Sequence, residues 1–291
     1  MFTDNPTIPA QLEVLLDVVH AMRQRKCSAE ALRHLIQPEG LPGVKPNSAQ
    51  VDNHLAAARE LELVKADENQ DIRLTYSFRG EHRAKPAILA AFDCIALANA
   101  NVEKWAGRFY AYMIAQEDDF NGGQAAVEAF ANKFMVDLPS SVDKGNPMNL
   151  EKHRALMRWY PYVGMGWVDP SGAFNADPTE RLRRALPVIW EDERKLDAQE
   201  FMDRMGRACP ELDGGALFNE VTEALFSASA RQCTQALATA LRRLHDEGVL
   251  RLHCPSDSKG WSLDRAGQSQ VTGEASNRFD AVERVGRRSK A

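Results

Sequence analysis

The chain has 291 residues, of which 44% are apolar, and this is enough for about two folded domains with hydrophobic cores. Lys and Arg total 36 against 41 Asp and Glu, so the formal net charge is −5. This balance excludes a protein that holds nucleic acid mainly by bulk positive charge, so any DNA contact must be local. The first six residues lack the basic and apolar order of a secretory signal, and Asp93 interrupts the most apolar run. We therefore expect a cytoplasmic protein that does not span a membrane.

The cysteines and the motif content argue against an enzyme. The five cysteines are scattered, and none forms a CxxC pair or a Cys/His pair at zinc spacing. The sequence also lacks the phosphate-binding loop, the dinucleotide fingerprint, the zinc-protease helix and the nucleophile elbow. We therefore expect no catalytic residues, no metal site and no cofactor.

The first 85 residues have the element order of a winged helix. Apolar residues recur at three and four residues over 9–22, which predicts a helix, and Ser28 is a natural N-cap for a second helix. A third helix is predicted to begin after Asn47 and Ser48, which are both capping residues. Two short strands around the polar tip 67–71 then predict a hairpin.

The same order recurs over residues 177–265. Asp197 can cap one helix, and Ser229 can cap the longest helix, which is predicted to stop at Gly248. A strand at 249–252, a tip and a return strand from Trp261 complete the second pattern. Two imperfect copies favour tandem winged helices, and the alternative for the second copy is a generic helical domain with a terminal hairpin.

The remaining segments complete a mainly α fold in which two winged helices flank a helical middle. The four predicted parts are an N-terminal winged helix, a helical middle domain, a C-terminal winged helix and a disordered tail, over 1–85, 86–176, 177–265 and 266–291. Within the middle domain, the aromatic stretch from Trp159 to Trp167 contains two glycines, so it is expected to pack as an irregular or strand-like plug. Its rings belong either to a core or domain interface or to an exposed surface that stacks unpaired bases beside Arg154 and Arg158.

Candidate DNA-binding residues lie on the third helix and wing of each module, because these elements supply the phosphate and base contacts of a winged helix. The first module offers Gln50, Asn53 and Arg59, but Asp52, Glu60 and Glu62 weaken that face. The second module has no acid between Ser229 and Asp246, and its candidates are Arg231, Gln232, Gln235, Arg242, Arg243 and, on the wing, Lys259. Amides suit adenine edges and arginines suit guanine or phosphate. The competing interpretation is a solvated or protein-docking face.

Segments at both ends resemble the DpdG family, accessory components of bacterial gene islands that insert 7-deazaguanine bases into DNA and act in phage defence. The similarity is carried by Ile8-Pro9 with the helix that follows, by the wing over 61–74, and by 236–252 with Asp257-Ser258. It leaves the middle uncovered and carries over no catalytic residue. It implies a DNA-linked defence role with ATPase, helicase or nuclease partners.

Together these patterns predict a non-enzymatic, DNA-associated adaptor. We expect the second module to bind double-stranded DNA and the first to serve protein contacts or a homodimer. The alternative is a structural winged-helix subunit that grips a protein partner in a condensin-like or other multi-subunit ATPase complex, and the net acidity favours it.

Overall fold

The computed structural model describes residues 7–23, 25–38, 49–76, 84–97, 105–116, 124–138, 147–225, 231–253, 260–263 and 277–285. These residues are mainly helical, as predicted. The chain forms two compact units: unit 1 comprises 1–106 and 149–162, and unit 2 comprises 107–148 and 163–291. The predicted middle domain is therefore shared between the two units.

The elements follow one another along the chain with most of the helices in the first two thirds. The helices are α1 (Pro9–Ala21), α2 (Ala29–Ile36), α3 (Gln50–Glu60), α4 (Lys85–Ala91), α5 (Ala106–Gln116), α6 (Gln124–Asp137), α7 (Leu150–Val163), α8 (Thr179–Trp190), α9 (Ala198–Ala208), α10 (Ala216–Leu225) and α11 (Gln235–Asp246). A π-helical turn, Phe92–Ala96, continues α4. The strands are β1 (Val64–Ala66), β2 (Ile72–Leu74), β3 (Gly166–Val168), β4 (Phe174–Ala176), β5 (Lys195–Asp197), β6 (Leu250–His253), β7 (Trp261–Ser262), β8 (Arg278–Phe279) and β9 (Ala281–Arg284).

Unit 1 contains the three helices and the hairpin predicted for its first 76 residues. The Ser28 side chain accepts a hydrogen bond from the Ala31 amide at 3.1 Å, so the predicted cap of α2 is confirmed. β1 and β2 pair antiparallel, with Val64 opposite Leu74. The Cys27 carbonyl accepts from the Ile72 amide at 2.8 Å, which ties the start of α2 to the hairpin. The predicted caps Asn47 and Ser48 lie outside the described residues.

The aromatic stretch is helical, so the expectation of an irregular plug is wrong for residues 159–163. Trp159 and Tyr160 are fully buried in α7, within unit 1. The Trp159 indole donates to the Thr7 hydroxyl at 3.2 Å, and the Tyr160 hydroxyl donates to the Ala106 carbonyl at 2.7 Å. Burial of these large rings, with their polar atoms bonded, offsets the cost of Pro161 inside the helix. Because the two rings are buried, neither can stack on a base.

Unit 2 contains a three-stranded sheet in the order β5-β9-β6, and both pairings are antiparallel. Val282, in the central strand, is fully buried opposite Leu196 and Leu252. The tail was expected to be disordered, and this is wrong for residues 277–285, because β9 supplies the hydrogen-bond partners of both β5 and β6. The polar composition of the tail predicted disorder, but it does not take account of Val282, a single apolar residue that is buried in this strand.

The predicted return strand at Trp261 forms, but it has a different partner from the one expected. β7 pairs with β8, with Trp261 opposite Phe279 and Ser262 opposite Arg278. The return strand beside β6 is β9 instead. A Cβ atom on Gly260 would lie 2.2 Å from the Phe279 carbonyl oxygen, so the close approach of the chains here needs a glycine. The two-stranded β7–β8 ribbon is therefore inserted between β6 and its return strand.

Two predicted helix boundaries in unit 2, the start of α9 and the end of α11, are confirmed. The Asp197 carboxylate accepts from the Glu200 amide at 2.9 Å and caps α9. α11 ends before Gly248, whose φ of +68° is the left-handed conformation that commonly terminates helices. Leu237, Leu241 and Leu244 form the predicted buried stripe of α11 and are fully buried.

Candidate nucleic-acid interface

The helix proposed for DNA contact, α11, begins at Gln235 and not after Ser229 as predicted. Thr234 is its N-cap, and the Thr234 hydroxyl accepts from the Leu237 amide at 3.3 Å. The Asp213 carboxylate in turn accepts from the Thr234 amide at 2.6 Å and from its hydroxyl at 2.8 Å. These buried bonds fix where the helix starts. Arg231 and Gln232 therefore lie on the preceding segment and not on the helix.

A buried ion pair lies two residues before the carboxylate that holds this cap. Arg181 on α8 donates from Nε to Glu211 Oε1 at 3.0 Å, and the two side chains are 3% and 0% exposed. Arg181 Nη2 also donates to the Ala208 carbonyl at 2.7 Å. The pair joins α8 to the chain that follows α9. It thereby contributes to the position of Asp213 and, through Asp213, of the α11 N-terminus.

The segment before α11 forms the outer strand of a small ribbon with β7 and β8. The Ser262 amide donates to the Arg231 carbonyl at 2.9 Å, and the Cys233 amide donates to the Ser262 carbonyl at 2.9 Å. Gln232 lies beside Ser262, and Ser262 lies opposite Arg278. The structure thus brings Arg231 and Gln232 to the N-terminal end of α11.

The exposed face of α11 carries polar side chains. Gln235, Thr239 and Arg243 are exposed and Arg242 is half-buried. At 100° per residue, Gln235, Thr239 and Arg242 fall within about 60° of one another around the helix axis. The predicted candidates Gln235 and Arg242 therefore lie on one face, opposite the leucine stripe.

Arg243 forms ion pairs within unit 2. Its Nη1 lies 3.0 Å from Asp177 Oδ2, and its Nε lies 3.2 Å from Glu247 Oε1. Arg183 on α8 also contacts Glu247. The hydrogen bonds to Arg183 and Arg243, together with their positive charges, hold the pKa of the Glu247 carboxyl below its ordinary value. Arg243 therefore joins α11 to the start of α8, through Asp177 and through the Glu247 that Arg183 also contacts.

In unit 1 the predicted candidates are not brought to one face. Nine residues separate Gln50 from Arg59 on α3, which places them on opposite sides of the helix. Asn53 is half-buried, and its neighbour Asp52 accepts three hydrogen bonds from Arg33, of which the shortest is 2.7 Å. The negative charge of Asp52 makes this part of α3 unfavourable for binding phosphate.

The resemblance to a known family lies in the opening stretch of the chain, in the hairpin of unit 1 and in residues 236–252, which cover most of α11 and of β6. The family model described as DpdG-like matches residues 2–258. The chain belongs to the DpdG-like family. Membership suggests an accessory role in the Dpd modification system. No curated protein and no solved structure matches this DpdG-like chain.

Three residues that position the candidate interface of the DpdG-like protein could not be predicted from sequence patterns. Asp213 has no local signal, because its partner Thr234 is 21 residues away. Ser262 was placed in a return strand with the wrong partner, and Arg278 was placed in a disordered tail. The alternating Arg278, Phe279 and Asp280 is too short to predict a strand by itself. Lys259, the predicted wing candidate, lies outside the described residues.

Metal sites and membrane spans are two other functional features to consider in the described ranges of the DpdG-like chain. Within those ranges, no three His, Cys, Asp or Glu side chains are arranged to hold a metal ion. None of the helices in the same ranges combines the length and the apolar content that crossing a membrane would need.

A groove lies between α1, α2 and α3 of unit 1. It has a volume of about 240 Å³, and its lining combines aliphatic side chains, three glutamines and one histidine: Gln11, Val14, Leu15, Ile36, Gln37, Gln50, Val51 and His54. His54 is buried, accepts from the Ile8 amide at 3.0 Å and donates from Nδ1 to the Gln50 carbonyl at 2.6 Å. His54 therefore fixes the N-terminal end of α1 against α3.

Proposed function

We propose that this DpdG-like protein is a non-enzymatic accessory component of a DNA modification and phage-defence system, and that unit 2 binds double-stranded DNA through a winged helix. Family membership supports the accessory role. The expected protein partners are ATPase, helicase or nuclease subunits of the same system.

The observation that carries the DNA part of the proposal is the order of elements in unit 2. Helix α8, strand β5, helix α9, helix α11 and strands β6 and β9 follow one another, and β9 lies between β5 and β6. A winged helix has this order of three helices and three strands, and its third helix enters a DNA groove. α10 and the β7–β8 ribbon are insertions in that plan. α11 is then the groove-binding helix, and its exposed Gln235 and Thr239 and its half-buried Arg242 are suited to base edges and phosphates.

A salt titration tests this proposal. Each phosphate that a cationic side chain neutralises contributes about −0.9 to the slope of log K against log salt concentration. If Arg231 and Arg242 both contact phosphate, Arg231→Ala with Arg242→Ala should reduce the magnitude of the slope by about 2 in mobility-shift titrations of a duplex.

The matched control removes two other exposed arginines of unit 2. Arg194→Ala with Arg284→Ala changes the net charge equally, and Arg284 lies beside Leu250, just after the C-terminal end of α11. This variant should keep the wild-type slope. Absence of duplex affinity for the wild-type protein at low salt would overturn the DNA proposal.

The groove of unit 1 favours a second candidate function, that of a structural subunit gripping a protein chain. Val14 on the groove wall is 52% exposed, and the apolar lining suits the side chains of a partner segment. Purification from the native host separates the two functions. A stoichiometric ATPase partner, with no free form that binds DNA, would establish the structural subunit and contradict the DNA adaptor. A free form that binds duplex DNA would support the DNA adaptor and contradict the structural subunit.

A further inference from the structure

The loop between α1 and α2 of unit 1 concentrates positive charge. Residues 18–29 contain Arg23, Arg25 and Lys26 and no Asp or Glu, although the chain as a whole has a net charge of −5. All three residues are exposed. The Arg23 side chain contacts His20, whereas the side chains of Arg25 and Lys26 form no ion pair with any residue that the structure describes. The loop therefore presents two cationic side chains to solvent.

Arg73 of β2 holds this loop against the hairpin of unit 1. Its Nη1 atom donates to the Arg23 carbonyl at 3.1 Å and to the Arg25 carbonyl at 3.2 Å. Asp71 lies 3.4 Å from Nη2 of the same guanidinium, and its carboxylate also accepts from the Cys27 amide at 2.9 Å. All of these bonds to the loop are made to its backbone. The position of the loop is therefore fixed without using its cationic side chains.

A further cation lies beside Arg73 on the hairpin. Lys65 of β1 is directly opposite Arg73 of β2, and side chains directly opposite each other in neighbouring strands lie on the same side of a sheet. Lys65 is exposed and, within the described ranges, also has no ion-pair partner. Lys65 and the loop are therefore both adjacent to the side chain of Arg73.

The surface formed by residues 22–27 and 64–74, here called the basic surface of unit 1, has a net positive charge and few exposed apolar groups. It contains five Lys or Arg and three Asp or Glu, which gives a formal charge of +2. Apart from its cations, the exposed residues described on it are small or polar, namely Ala66, Glu68, Asn69 and Gln70. The centre of a protein interface is typically apolar and rich in aromatic side chains, whereas backbone phosphates are bound by exposed Arg and Lys. This composition favours nucleic acid over an acidic protein.

We propose that the basic surface of unit 1 binds phosphates of the nucleic-acid backbone through Arg25, Lys26 and Lys65. This inference rests on the proposed function, because it adds a second contact with duplex DNA to the one assigned to α11. Phosphate contacts carry no sequence information and weaken as the salt concentration rises. The basic surface therefore supplies affinity that does not depend on base sequence, which α3 with its Asp52 is poorly suited to do.

The test removes the two cations of the loop from the full chain. If Arg25 and Lys26 both contact phosphate, Arg25→Ala with Lys26→Ala should reduce the magnitude of the salt slope by about 1.8. An increase from about 50 to 200 mM salt should then weaken the variant about 12-fold less than it weakens the wild-type protein. The change should be equal on two duplexes of unrelated sequence. Fluorescence anisotropy with labelled duplexes measures the affinities, and circular dichroism checks that each variant is folded.

Two control variants separate phosphate contact from a general loss of charge. Arg25→Lys with Lys26→Arg keeps both positive charges and should keep the wild-type slope. Arg154→Ala with Arg158→Ala removes the same charge from two exposed positions of α7, which also belong to unit 1, and should keep the slope as well. If Arg25→Ala with Lys26→Ala does not fold, Lys65→Gln decides, and it should reduce the magnitude of the slope by about 0.9.

The outcomes distinguish this inference from the proposed function. Wild-type protein that fails to bind duplex would overturn both, and wild-type protein that binds polyglutamate in place of duplex would overturn both by assigning an acidic protein partner. An unchanged slope in the loop variant, together with a reduced slope in Arg231→Ala with Arg242→Ala, would overturn the basic surface alone. The reverse result would support the basic surface and contradict DNA binding by α11. A change confined to one of the two sequences would overturn the basic surface, because backbone contacts are the same in both.

Discussion

At the scale of single residues, the buried histidine of α7 makes unit 1 sensitive to acid. His153 is 5% exposed, and burial, assisted by the nearby Arg154, lowers the pKa of its imidazole from 6.5 to about 4. Between these two pH values the unfolded chain binds a proton that the folded chain does not bind. The free energy of unfolding therefore falls as the pH decreases through this range.

We expect His153→Gln to remove most of this acid sensitivity. The pKa difference corresponds to a loss of about 3 kcal/mol between neutral pH and pH 4 in the wild-type protein. Urea denaturation across this range measures it. His34→Gln removes an exposed histidine of α2 and should leave the acid-dependent loss in place. An equally steep loss in His153→Gln would contradict the assignment.

The predicted DNA-contact residues of α11 show what helical spacing can and cannot predict. Gln235 and Arg242 could be placed on one face from helical spacing alone, because both lie inside a long amphipathic helix. Arg243 was placed with them, but the spacing could not reveal Asp177, an ion-pair partner 66 residues away. Exposure follows from local periodicity, whereas the partner of an exposed charge depends on tertiary packing.

At the scale of elements, local capping chemistry predicted helix starts only where no distant residue competed. Ser28 and Asp197 cap the helices they were predicted to cap. Ser229 and Thr234 are both good capping residues, and the choice between them is set by Asp213 and Ser262. A sequence window contains neither of these two partners, so the start of α11 was predicted five residues too early.

Strand pairing was the least predictable feature for the same reason. Trp261 and Leu263 have the alternation of a return strand, and the nearest upstream strand was the natural partner. The actual return strand follows a ribbon inserted after β6, and alternation does not specify which of two later strands pairs with an earlier one. The helices have local hydrogen bonds, and sequence patterns predicted the presence of α1, α2 and α9 for that reason.

At the scale of the whole molecule, unit 2 depends on a segment near the end of the sequence. A chain that stops after residue 276 lacks β8 and β9, so the backbone groups of β5 and β6 that now face β9 would lose their partners. We expect such a chain to lose the sheet of unit 2. Limited proteolysis should then cut readily within 163–253, and the thermal transition of unit 2 should disappear.

Glu283→Gln is the control for this truncation. It keeps β9 and removes only a carboxylate that pairs with Arg194 and His253. It should leave the protease-resistant pattern of the full chain unchanged. A truncated chain with the same resistance as the full chain would show that the sheet is not needed for the integrity of unit 2.

The central position of β9 also has a consequence during synthesis. Ribosomes add about 5–20 residues per second, so β6 is made roughly two to six seconds before the strand that separates it from β5. During that interval the nascent polypeptide carries two unpaired strand edges, which are surfaces that other chains can join. The protein is therefore most vulnerable to aggregation in the interval before β9 joins β5 and β6, and chaperone capture in that interval should raise its yield.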